Sequence, residues 1–125
     1  MILDTNALSA MAEGDLAVEA LLAGEAIHHL PTIVLGEYRF GLLSSRLRDQ
    51  LAQWLDGMER SCLVLVVDAT TARFYAEVRE ELRRKATPIP ENDLWIAALA
   101  RQHQLRLVSR DQHFDAVTGL QRLSW

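Results

Sequence analysis

One cysteine, one lysine and three prolines stand among the 125 residues, and no apolar stretch approaches the length of a membrane span. The lone Cys62 excludes an internal disulfide and fits a reducing cytoplasm. It reads as a small apolar residue at a strand edge. Crossing a bilayer takes roughly 18 consecutive apolar residues, so no membrane partner is expected. Met1-Ile2-Leu3 runs straight into Asp4, and no signal peptide is expected either. The surplus of positive charge that a broad phosphate-binding surface needs is also missing, because the net charge is −4. Nucleic acid stays open as a partner, since clustered acids holding divalent cations offer phosphate a local positive charge. Of the 13 basic residues all but Lys85 are arginine, the better side chain for bidentate phosphate contacts.

What is present describes a folded α/β domain. Half of the residues are hydrophobic and 24% charged, which argues against disorder. The length suits one domain, residues 1–125, with a real core. Met1 to Asp4 reads as a short buried strand ending on an acid. Thr5 to about Ala12 is helical, with Gly14 as its C-cap. A second helix runs from Asp15 to Ala23. Ala26 to Leu30 reads as a strand, and Pro31 opens a helix over Thr32–Ser44. Arg46–Arg60 carries Leu47, Leu51, Trp54, Leu55 and Met58 at helical spacing. Leu63–Val67 is continuously apolar, the mark of a central parallel strand covered on both faces. Thr70–Lys85 is amphipathic, with Phe74, Val78 and Leu82 facing inward. Asn92 or Asp93 caps the next helix, apolar throughout from Leu94 to Ala100. Leu105–Val108 and Gln121–Trp125 read as the last strands. The order implies a central parallel sheet with helices on both faces.

Four acids stand out against this scaffold. Asp4 ends the first strand, where α/β folds reach into their ligand crevice, although it also suits a helix N-cap. Thr5 and Asn6 can supply that cap instead. Glu37 has Ile33, Val34, Phe40 and Gly41 as same-face neighbours and no base at helical spacing, so its charge needs a tertiary partner. Asp93 starts a helix and Asp111 follows a strand; a short connection makes that pair antiparallel and brings both acids to one end of the domain. Such a cluster is costly alone, because two charges about 4 Å apart repel by roughly 4 kcal/mol at an effective dielectric near 20. A hard divalent cation removes the cost, and carboxylates without thiolate or imidazole favour Mg²⁺ or Mn²⁺. His28, His29, His103 and His113 show no zinc-pair spacing. Gly36 and Gly41 fail as a phosphate loop, since Leu42-Leu43 stands where Lys-Ser/Thr belongs. Glu80–Arg84 and Glu81–Lys85 have the order of intrahelical ion pairs, which leaves Arg110 as the better phosphate contact.

Leu3-Asp4-Thr5-Asn6, Gly36-Glu37, Asn92-Asp93-Leu94-Trp95-Ile96-Ala97-Ala98 and Ser109-Arg110-Asp111-Gln112-His113-Phe114 resemble the four acidic motifs of PIN-domain ribonucleases. Length and spacing most resemble the VapC toxins of bacterial toxin–antitoxin pairs. The resemblance implies an endoribonuclease dependent on Mg²⁺ or Mn²⁺ that cuts single-stranded or loop RNA. Asp4, Glu37, Asp93 and Asp111 would be its catalytic acids. Of these, Asp4, Asp93 and Asp111 would be metal ligands, with Thr5, Asn6 and Arg110 beside the substrate. It also implies a homodimer and a cognate antitoxin that blocks the site. His113 departs from the pattern, because many members carry aspartate there. Three other readings compete. An aspartyl-phosphate phosphatase would want a second aspartate where Asn6 stands. A receiver domain would use Asp68 as phosphoacceptor but lacks a suitably placed lysine. A silent PIN-fold binding module would keep only the pairing with its partner.

Overall fold

The computed structural model describes residues 1–125. Five short strands form one parallel sheet: β1 (Ile2–Leu3), β2 (His29–Pro31), β3 (Leu63–Leu65), β4 (Leu107–Val108) and β5 (Arg122–Leu123), in the spatial order β3-β2-β1-β4-β5. Parallel neighbours need crossovers, and six helices supply most of them: α1 (Thr5–Ala12), α2 (Leu16–Leu22), α3 (Thr32–Leu42), α4 (Arg48–Ser61), α5 (Ala69–Arg84) and α6 (Glu91–His103). β1 lies at the centre, with Ile2 opposite both His29 and Leu107 and Leu3 opposite Val108. Successive connections leave β1 toward β2 and β3 on one side, while β4 and β5 stack on the other. The carboxyl ends of β1 and β4 therefore flank the switch point, the crevice where α/β sheets bind ligands.

The core follows from the apolar pattern. Ile2, Leu3, Leu30, Leu107 and Val108 are fully buried in the sheet, and α6 packs Leu94 and Ile96 through Ala100 against it. Because α6 buries several sides, its alanines let α5 come close, with Val78 and Leu82 buried at that contact. Gly14 ends α1 with φ +73°, a left-handed conformation that a side chain would strain. Gln104 ends α6 in the same region at φ 53°.

Several expectations are corrected. Leu63–Val67 is not a central strand: β3 lies at the sheet edge, with Leu63 55%, Val66 58% and Val67 39% exposed. An unbroken apolar run says only that both faces are apolar; it does not say which structure covers them. Pro31 belongs to β2, pairs with Leu65 and serves as the N-cap of α3. Leu47 precedes α4 and is largely exposed, so the helix turns Leu55 alone fully inward. Neither Asn92 nor Asp93 caps α6; Pro90 stands at the N-cap without a side-chain bond, freeing both for other contacts.

Candidate active site

Each acid is delivered by backbone that the sequence dictates. Asp4 leaves β1 in extended geometry and N-caps α1, its Oδ1 accepting from Thr5 N at 2.8 Å. Capping does not exhaust it: Oδ2 accepts from Ser109 Oγ at 2.6 Å and Asn6 Nδ2 at 3.2 Å. The two readings of Asp4 are thus compatible, and Thr5 and Asn6 do not take over the cap. Burial raises the Asp4 pKa above the usual carboxylate value, opposed by the bonds from Ser109 and Thr5, with Asp111 and Glu37 adding repulsion. Glu37 projects from α3 and finds no arginine. Thr5 Oγ1 donates to its Oε2 at 2.6 Å and Asn92 Nδ2 to its Oε1 at 2.7 Å.

Asp111 stands before the 3-10 turn Gln112–Ala116 without capping it; its Oδ2 accepts from Asn6 Nδ2 at 3.1 Å. Asn6 is fixed from behind, since its Oδ1 accepts from Arg110 N at 3.1 Å. Its amide protons therefore face the acids, standing between Asp4 and Asp111. Asp93, in the first turn of α6, accepts no formed hydrogen bond; His113 Nε2 lies 2.8 Å from its Oδ2 without making one. Burial and the Asp4 charge lift the Asp93 pKa to about 6, with His113 pulling the other way and Glu37 and Asp111 adding to the rise. All four acids, with Thr5, Asn6, Ser9, Phe40 and Asn92, line one open cavity of about 700 Å³. As these side chains stand, no three of the acids close on a single cation point.

A PIN domain profile matches residues 1–120. Ribonuclease VapC5 of Mycobacterium tuberculosis is 32% identical over 120 residues, which covers 94% of this chain and 87% of that protein. This chain is a PIN domain of the VapC family. The tRNA(fMet)-specific endonuclease VapC of Shigella flexneri is 28% identical over 97 residues, 77% of this chain and 74% of its own. Among solved structures, VapBC2 from Rickettsia felis bound to a DNA fragment from its promoter superposes with a TM-score of 0.86 at 27% identity. That likeness covers 99% of this chain and 97% of the other.

Within this PIN domain the remaining sequence readings fall out residue by residue. Arg110 does not line the acid cavity: its guanidinium pairs with Asp15 at 3.1 Å and lies 4.4 Å over the Trp125 ring. Lys85 does not pair with Glu81; it donates to Ala116 O and Thr118 Oγ1, while Glu81 takes Arg101 and the Thr118 amide. Glu80 is pulled down to about 2 by hydrogen bonds from Arg83 and Arg84. Asp68 forms a capping box with Thr71 and does not line the acid cavity. Asp115 sits in a surface pair with Arg122. The sequence reading gave no place in the site to three residues: Ser109, fully buried between Asp4 and the Asp111 amide; Asn92, read as a helix cap, which holds Glu37; and His113, noted only as a departure from the family pattern. Their one sequence signal is adjacency to the acids.

Proposed function

We propose that this protein is a divalent-metal-dependent endoribonuclease, the toxin of a toxin–antitoxin pair. The observation that carries the reading is the convergence of Asp4, Glu37, Asp93 and Asp111 on one cavity at the switch point. No arginine or lysine neutralises any of the four. The donor set fits Mg²⁺ or Mn²⁺ in kind, being hard carboxylate oxygen with an excess of negative charge and a carboxyl lifted to about 6 by its surroundings. Asp4, Asp93 and Asp111 would hold the cation, which when bound polarises a phosphoryl oxygen and activates water. Glu37, held at both oxygens by Thr5 and Asn92, is oriented to accept a proton from attacking water. Thr5 and Asn6 fix these acids from the cavity wall, and Arg110 would meet a phosphate by releasing Asp15. The relatives named as ribonucleases support RNA as substrate.

A phosphatase reading is disfavoured because Asn6 stands where that chemistry wants its second aspartate, and its amide is spent between Asp4 and Asp111. A second, apolar cavity of about 500 Å³ between α1, α3 and α4 shares Thr5, Ser9 and Glu37 with the acid cavity. Phe40, Leu43 and Leu47 are exposed nearby at 78%, 69% and 57%. This groove suits an antitoxin segment that sends an arginine to the acids, in line with a structural relative, VapBC-5 from Mycobacterium tuberculosis, that belongs to a family of toxin–antitoxin systems. The exposed β3 edge supports a homodimer. The deciding experiment is cleavage of a synthetic single-stranded RNA by purified protein. Cutting with Mg²⁺ or Mn²⁺ that stops in EDTA is expected; cutting that persists in EDTA, or needs zinc, overturns the metal reading.

A further inference from the structure

Asp93 differs from its three companions in how it is held. Asp4, Glu37 and Asp111 each accept at least one formed hydrogen bond from Thr5, Asn6, Asn92 or Ser109. The Asp93 side chain is only 14% exposed, yet its one close polar neighbour is His113 Nε2 at 2.8 Å. That nitrogen is itself shut off from solvent and has no other partner. A buried polar atom without a partner is costly, so a side chain that keeps one needs a reason. His113 is also held in place: its ring lies 4.8 Å from that of Phe114, which is fully buried, in the 3-10 turn after β4.

We infer that His113 is a positioning residue for Asp93, its Nε2–H bracing Oδ2 so that the second carboxylate oxygen is kept for a cation in the cavity. The inference rests on the metal-dependent reading of the site. An imidazole presents a donor at Nε2 in one neutral tautomer and in its protonated form, and a carboxylate ligand is fixed by such an outer partner. An approach to 2.8 Å that is not yet a formed hydrogen bond is what a brace looks like before a ligand tightens it. Asp93 then needs neither a cap role nor an arginine to hold its orientation.

Isothermal titration of Mn²⁺ into metal-free protein tests this, using wild type, His113→Gln and His113→Leu, with each variant's melt in EDTA as a folding check. Glutamine reaches Asp93 with an amide N–H; leucine fills the space without a donor. His113→Leu should bind Mn²⁺ at least about tenfold more weakly, the usual loss when a ligand's outer partner is removed, and His113→Gln within roughly threefold of wild type. Cleavage by His113→Leu should recover as Mn²⁺ is raised. If the leucine variant does not fold, His113→Asn, whose amide is too short to reach, should show the same loss. Equal affinity in all variants overturns the inference, and so does an equal loss in Gln and Leu, which would make ring shape the cause. Wild type that binds no Mn²⁺ at all refutes the metal reading instead, so the two failures stay distinct.

Discussion

Replacing Asp93 by asparagine should make the metal-free protein more stable. Burial and the neighbouring Asp4 lift this carboxyl from 3.8 to about 6, roughly two pKa units. At 1.36 kcal/mol per unit the ionised form is disfavoured by up to about 3 kcal/mol. The cavity is open, and solvent screening takes about half of that, leaving about 1.5 kcal/mol. Asparagine keeps the shape and removes the charge, and no formed hydrogen bond to Asp93 is lost. For a domain of this size, about 1.5 kcal/mol corresponds to a rise in Tm of roughly 5 °C. The sign with pH follows from linkage. A carboxyl whose folded pKa is raised destabilises the fold above that pKa, and the penalty fades as pH falls from about 6 toward the unfolded value of 3.8. The advantage of Asp93→Asn should therefore be full at pH 7.5 and gone near pH 4. Calorimetric melts in EDTA at both values measure it, and repeats with Mg²⁺ should raise wild type more than the variant, by about 2.7 kcal/mol at a hundredfold excess over Kd. Equal melting temperatures at pH 7.5 in EDTA would refute the reasoning.

Three further outcomes follow. Ser109→Ala removes the 2.6 Å donor to buried Asp4 and should cost about 1.5–3 kcal/mol in urea unfolding. Phe114→Ala empties a fully buried site beneath the 3-10 turn and should cost about 3–5 kcal/mol by the same assay. Val66→Asp, exposed just past the edge strand β3, should turn a dimer into a monomer by light scattering at tens of micromolar; a wild-type monomer there would remove the dimer.

The sequence made the acids legible because each sits where the chain changes state: after a strand, at a helix start, or on an apolar helix face. Position of β3 was not legible, since Leu63–Val67 lacks the alternation that separates an edge from a centre. Ser109 and Asn92 were hidden for another reason. Ser109 carries no sign of a tertiary partner, and Asn92 reads as a helix cap, until β1 and β4 lie side by side and α3 meets α6. Only then does Ser109 bridge Asp4 to Asp111, and Asn92 meet Glu37. The capping assignment failed similarly. Asn92 and Asp93 have the right chemistry to cap α6, but the helix begins at Glu91 and their side chains are engaged across the site. Arg110 reads as free beside Asp111 because Trp125 and Asp15, its true neighbours, lie far away in sequence.

The most direct measurement of the central claim is the single-turnover rate of RNA cleavage by wild type and by Asp93→Asn at the same saturating Mg²⁺, each folded by its melt. Loss of a principal transition-state stabiliser costs at least roughly a hundredfold, and a drop of that size is the predicted result. A near-normal rate in the variant would contradict the account and remove Asp93, with the cavity it shares with Asp4, Glu37 and Asp111, as the place where the chemistry occurs.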